Sequence, residues 1–169
     1  GGGRPVAARV RIQPPSDRVW KSRGSAWISG IAQAAGAVGC GDSAVATPVL
    51  TRPLRFGADM VMHSATKYLN GHSDVSAGVL AVRRRGEMWT SICEARATQG
   101  ASPGAFEAWP LARGIRTLAL RVRAQAASAL FRAKAYQPHT AVPRSPCAAL
   151  AGHPGHHVPV PPRLGGVRS

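Results

Sequence analysis

The chain has 169 residues, 44% of them apolar, 17% charged and only 5% aromatic, with a formal charge of +15, so one domain with a real core is within reach. The arginines are spread along the sequence rather than gathered in one block. With so few aromatic residues there is little to stack nucleic-acid bases, so only non-specific attraction to polyanions is expected. No run of 18 or more apolar residues could span a bilayer, and the N-terminus lacks the continuous apolar core of a signal peptide, so a cytoplasmic address is expected.

Residues 1–12, opening on Gly1-Gly2-Gly3-Arg4-Pro5, are expected to be irregular. A helix is predicted near Ser25 to Ala35, with Trp27, Ile28, Ile31 and Ala35 on one face and Gly36 as its stop. The next strand, Ala37-Val38-Gly39-Cys40-Gly41, delivers Asp42 to a sheet rim. Its glycines read as damaging, because each raises the ordering cost by roughly 0.5–1 kcal/mol relative to alanine. Pro48 to Phe56 makes a short helical return capped by Gly57, and Asp59 to Ser64 is a core strand. Gly78 to Arg83 is a third strand and Glu87 to Thr98 a helix. Pro110 falls inside a further helix, where an interior proline costs about 3 kcal/mol. The long helix after Ile115 sets Leu118, Val122 and Leu130 on one side, with arginines opposite. Alternating elements predict an α/β domain with a mostly parallel sheet flanked by helices.

Residues 136–169 are rich in Pro, His and Arg and cannot bury a core, so they are expected to be disordered. His153, His156 and His157 lie there without a cysteine or acid at ligand spacing, which favours a solvated tail over a zinc site. Cys40, Cys93 and Cys147 are odd in number and widely spaced, which argues against a disulfide framework, and Cys40 reads as a small buried residue.

Ser64-Ala65-Thr66-Lys67-Tyr68-Leu69-Asn70-Gly71-His72 sets one of only three lysines on a loop just past a strand end, where open α/β sheets place ligands. A partly desolvated amine there can act as a nucleophile and form a Schiff base. The hydroxyls of Ser64 and Thr66 flank it and could share one anion with backbone N–H groups. An aldehyde carrying a phosphate satisfies both features, and that description fits pyridoxal 5'-phosphate (PLP). Spacing by itself favours the plainer alternative, a surface lysine after a polar turn.

The surrounding text narrows the choice. Asp42-Ser43-Ala44-Val45-Ala46-Thr47-Pro48-Val49-Leu50 through His72-Ser73-Asp74 resembles the trans-sulfuration family of PLP enzymes, the group of cystathionine γ-synthase, cystathionine γ-lyase, methionine γ-lyase and homoserine sulfhydrylase. The resemblance implies that residues 13–135 are a fragment of the large PLP-binding domain of a fold-type I transferase. It implies that Lys67 forms the internal aldimine and later shuttles protons. Asp42, 25 residues earlier, would hold the pyridine nitrogen protonated, and Ser64 and Thr66 would bind the phosphate. Gln13-Pro14-Pro15-Ser16-Asp17 resembles the family's P-S-N loop, whose Asn hydrogen-bonds the cofactor's phenolic oxygen. Asp17 stands in that place here, and an ionised carboxylate cannot donate such a bond. Its alternative is an acid in a solvated turn beside Arg18. Pro103 to Trp109 and Leu111 to Leu118 resemble the stretch leading into the family's smaller C-terminal domain, with Trp109, Arg113 and Arg116 read as structural.

The activity so implied is γ-replacement or γ/β-elimination on a homoserine- or cysteine-derived amino acid, by a homodimer or homotetramer, without membrane or specific nucleic acid. Synthase, lyase and sulfhydrylase all stay open. The family's first lobe supplies the aromatic that stacks on the ring, the glycine-containing phosphate loop, and the Tyr and Arg lent across the dimer. It has no counterpart in the opening residues, nor has the carboxylate-binding Arg a secure one downstream. A truncated enzyme is therefore expected. The alternatives are a catalytically inactive, pseudogene-type fragment and a non-specific basic nucleic-acid binder.

Overall fold

Short runs of valine, methionine and glycine give four strands in the computed structural model, which describes residues 9–12, 30, 32–142, 147 and 149–152. They are β1 (Arg9–Ile12), β2 (Val38–Asp42), β3 (Met60–Ser64) and β4 (Gly78–Val82), in the spatial order β1-β2-β3-β4. β1, β2 and β3 run parallel, whereas β4 is antiparallel to β3. The parallel strands therefore end on a common rim, which carries Ile12, Asp42 and Ser64. Of residues 1–12, expected to be irregular, the described residues 9–12 form a strand. Its four residues gain a full parallel ladder from Arg9↔Val38 to Ile12↔Gly41, a long-range pairing that no local pattern announces.

Between β2 and β3 the chain returns through helix α1 (Thr47–Leu50) and a 3₁₀ turn, Pro53–Phe56. Gly57, at φ +93°, ends that turn in the left-handed region that suits glycine. The glycines of β2 are not the defects the sequence suggested. A Cβ on Gly41 would stand 2.9 Å from Cβ of Pro53, so the missing side chain is what lets the 3₁₀ turn lie on the sheet. Gly39 lies on the same face, two residues earlier, with Ala32 against it; there a Cβ would meet nothing closer than 3.7 Å.

Of the helix expected at Ser25 to Ala35, Gly30 and residues 32–34 are helical; Trp27, Ile28 and Ile31 lie outside the described residues. Ala32 is fully buried and Ala35 exposed, which turns the apolar face away from Ala35. Gly36, at φ +62°, ends the helix, with Gly36 N–H donating to the Gln33 carbonyl and Ala37 N–H to that of Ala32.

Beyond β4 come α2 (Glu87–Gln99), α3 (Ala105–Arg116) and α4 (Leu118–Tyr136). α2 buries no residue, α3 only Gly114, and α4 buries Leu118, Val122 and Ala133. Pro110 does lie within α3. Trp109, Arg113 and Arg116, read as structural, are exposed, Trp109 to 66%. Within the tail expected to be disordered, Leu150 is buried and its N–H donates to the Cys147 carbonyl, so buried structure continues past residue 136. Cys40 is half-buried rather than buried, and no disulfide joins the described cysteines. No described helix is long and apolar enough to cross a membrane.

Candidate active site

β3 runs directly into the lysine turn. Ala65–Leu69 closes as a single π-type turn, with Asn70 N–H donating to the Ala65 carbonyl at 2.9 Å. Buried Ala65 and Leu69 anchor it, which leaves Thr66 and Lys67 exposed. Lys67 departs from helical geometry, at φ −83° and ψ −120°. The turn is stitched to the approach to β4: the N–H groups of Ala65 and Thr66 both donate to the Ala77 carbonyl, at 2.8 and 3.2 Å. The Thr66 hydroxyl accepts from Ala77 N–H at 3.0 Å and donates to the Ala77 carbonyl at 3.4 Å.

On the neighbouring strand Asp42 is 4% exposed, and its Oδ1 accepts from Ala44 N–H at 3.1 Å. Two bonds tie this strand end to β3. Ser43 N–H donates to the Met62 carbonyl at 2.9 Å, and the Nδ1 of buried His63 lies 3.0 Å from the Ser43 carbonyl. A carbonyl only accepts, so this bond places the proton on Nδ1. Asp42 pairs with Met62, and Ser64 is two residues further along β3, so Asp42 and Ser64 share one face of the sheet at the rim.

The structure thus brings Asp42, Ser64, Thr66 and Lys67 to a single rim. Asp17 lies outside the described residues. Lys67 is exposed among the described residues. Ala65, Leu69 and Asn70 are buried, so the exposed part of the segment is Thr66 and Lys67.

Sequence reasoning missed what clamps the turn. Arg121, assigned to the solvent side of its helix, is half-buried and turned inward. Its Nη1 donates to the Tyr68 carbonyl at 2.9 Å, and its Nη2 to the carbonyls of Gly114 (2.7 Å) and Leu69 (3.4 Å). The available signal was position, since Arg121 sits three residues after Leu118 and one before Val122, both buried. Asn70 was missed as well. It is fully buried, and its Nδ2 donates to Asp74 Oδ1 at 2.5 Å.

A buried carboxylate, an exposed primary amine and two hydroxyls suit a cofactor that offers a basic ring nitrogen, an aldehyde and a phosphate. That chemistry on an α/β sheet of this kind is a fragment of a fold-type I PLP-dependent enzyme. Residues 12–161 match the family model described as Cys/Met metabolism PLP-dependent enzyme, a match that runs well past residue 135. The chain belongs to that family. It is 43% identical over 131 residues to the chloroplastic cystathionine beta-lyase of Arabidopsis thaliana, covering 78% of this chain and 28% of the plant protein. It is 39% identical over 149 residues to the cystathionine beta-lyase of Lactococcus lactis subsp. cremoris, covering 88% and 39%. Among solved structures, cystathionine gamma synthase from Xanthomonas oryzae pv. oryzae aligns with a TM-score of 0.82 at 34% identity, covering 89% of this chain and 39% of that one. A methionine gamma lyase from Micromonospora echinospora aligns with a TM-score of 0.85 at 32% identity, covering 92% and 43%. The chain spans about 28–39% of the length of the first two relatives.

Proposed function

We propose that this chain is part of a PLP-dependent trans-sulfuration enzyme that carries out γ-replacement or γ/β-elimination on a homoserine- or cysteine-derived amino acid. We also propose that Lys67, Asp42, Ser64 and Thr66 hold the cofactor. The observation that carries the proposal is the common rim of β2 and β3, with Asp42 at one strand end and Lys67 just past the other. PLP, when bound, supplies an electron sink for a substrate carbanion. Lys67 would hold the cofactor's aldehyde carbon through its exposed amine and would move protons on the substrate side. Asp42, oriented by Ala44 N–H, keeps a ring nitrogen protonated. The Ser64 hydroxyl has no hydrogen-bond partner among the described residues and is available to a phosphate. The Thr66 hydroxyl is held in place by Ala77 N–H and gives up only the long 3.4 Å bond in order to turn its proton outward. A homodimer or homotetramer and a cytoplasmic location complete the proposal. Asp17 carries no part of it.

The exposure of Lys67 favours a second reading of this length of chain: it binds PLP without turning substrate over. Titrating the purified chain with PLP should give the visible absorption band of a lysine-bound pyridoxal, lost in Lys67→Ala. A band of equal strength in both proteins overturns the site. Turnover of cystathionine or an O-acyl homoserine by the purified chain overturns the second reading.

A further inference from the structure

Lys67 is held on its N-terminal side by the two bonds to the Ala77 carbonyl. Its backbone leaves helical geometry, so something must also fix the peptide planes that follow. Gly71 N–H donates back to the Lys67 carbonyl at 2.7 Å, and the Arg121 guanidinium takes the next two carbonyls, those of Tyr68 and Leu69. The same guanidinium reaches the Gly114 carbonyl at the end of α3 and, through Nε, the Thr117 Oγ1 at the start of α4 (3.0 Å). A guanidinium presents five N–H donors in a fixed plane, so one side chain can bridge three segments without losing register.

The backbone around this bridge is cut to fit. Gly71, at φ +74°, has no side chain, and a Cβ there would lie 1.9 Å from the Arg121 Nη1, in space the guanidinium already fills. Gly114 also lacks one, and a Cβ there would lie 2.4 Å from the Asn70 carbonyl oxygen. Two absent side chains and one cation thus form a seam between the lysine turn and the junction of α3 and α4. The cation also meets the carbonyl end of α3, where the helix dipole is negative.

Resting on the PLP site proposed above, we infer that Arg121 is a positioning residue. By bridging the Tyr68 and Leu69 carbonyls to α3 and α4, it fixes the direction in which the turn presents the Lys67 amine to the aldehyde.

The test compares wild type, Arg121→Lys and Arg121→Ala, each checked for folding by circular dichroism, with and without added ethylguanidinium. Two quantities are measured: amide exchange at residues 68–71 against β2 and β3, and the rate at which PLP with cyanoborohydride labels Lys67 relative to Lys134. In Arg121→Ala, exchange at 68–71 should rise and the Lys67:Lys134 labelling ratio should fall, each by about tenfold, the worth of one net hydrogen bond. The strand amides should stay as in wild type. Ethylguanidinium should restore both readouts, and Arg121→Lys should lie between. Unchanged exchange at 68–71, or a wild-type labelling preference retained in Arg121→Ala, overturns the role of Arg121. A ratio of one already in wild type overturns the PLP site instead; amide exchange then decides the bridge alone, which stands only if protection at 68–71 is lost with Arg121.

Discussion

Gly114→Ala should destabilise this protein although alanine is the better helix former. At an open helical position the change gains up to about 1 kcal/mol, because glycine loses more backbone freedom on folding. At Gly114 the added Cβ would stand 2.4 Å from the Asn70 oxygen and 3.0 Å from its carbonyl carbon and Cα, inside the 3.0 Å that real Cβ atoms respect. Those are backbone atoms of the lysine turn, which cannot swing aside as a side chain can. Relief needs α3 and the turn to part by about 0.6 Å or more. Against rigid backbone such overpacking falls in the upper part of its usual range, roughly 2–3 kcal/mol, which outweighs the helical gain and leaves a net loss of about 1–2 kcal/mol. Thermal unfolding followed by circular dichroism should then show a midpoint lowered by about 3–8 °C. Gly30→Ala is the control, since Gly30 is helical and has nothing within 4 Å of an added Cβ; it should be neutral or stabilising. A Gly114→Ala protein as stable as wild type would refute the close approach of α3 to the turn.

Three other outcomes follow from the same geometry. Gly41→Ala should cost about 1–3 kcal/mol in urea unfolding, because the Pro53 ring facing it is rigid. Pro110→Ala should raise the unfolding midpoint, with a gain of up to about 3 kcal/mol, since α3 then recovers the bond from residue 110 to the Phe106 carbonyl. Asp42→Asn should weaken PLP binding by about 10- to 150-fold in equilibrium titration, the worth of a hydrogen bond to a charged group, while leaving thermal stability close to wild type.

What could be read from the sequence was the part governed by local chemistry. Gly36 and Gly57 ended their helical segments as expected, both in the left-handed region. The polar turn after an apolar strand placed Lys67 past a strand end, and a family resemblance supplied the partners for it. What could not be read was set by approach between distant segments. β1 exists through its ladder with β2, not through its own composition. The glycines of β2 counted as losses on propensity, yet Gly41 is required by Pro53, twelve residues away in sequence. Arg121 has the same local character as Arg123, which is exposed; only the path of the lysine turn makes Arg121 a bridge. Partial desolvation would favour the chemistry asked of the Lys67 amine, and among the described residues Lys67 is exposed.

The account turns on which of the chain's three lysines, Lys21, Lys67 and Lys134, meets the cofactor. Incubating the purified chain with stoichiometric PLP, reducing with borohydride and mapping the phosphopyridoxyl mass by peptide mass spectrometry answers this directly. Label concentrated on the peptide containing Lys67 is the predicted result. Label spread evenly over all three lysines, or absent from Lys67, would contradict it.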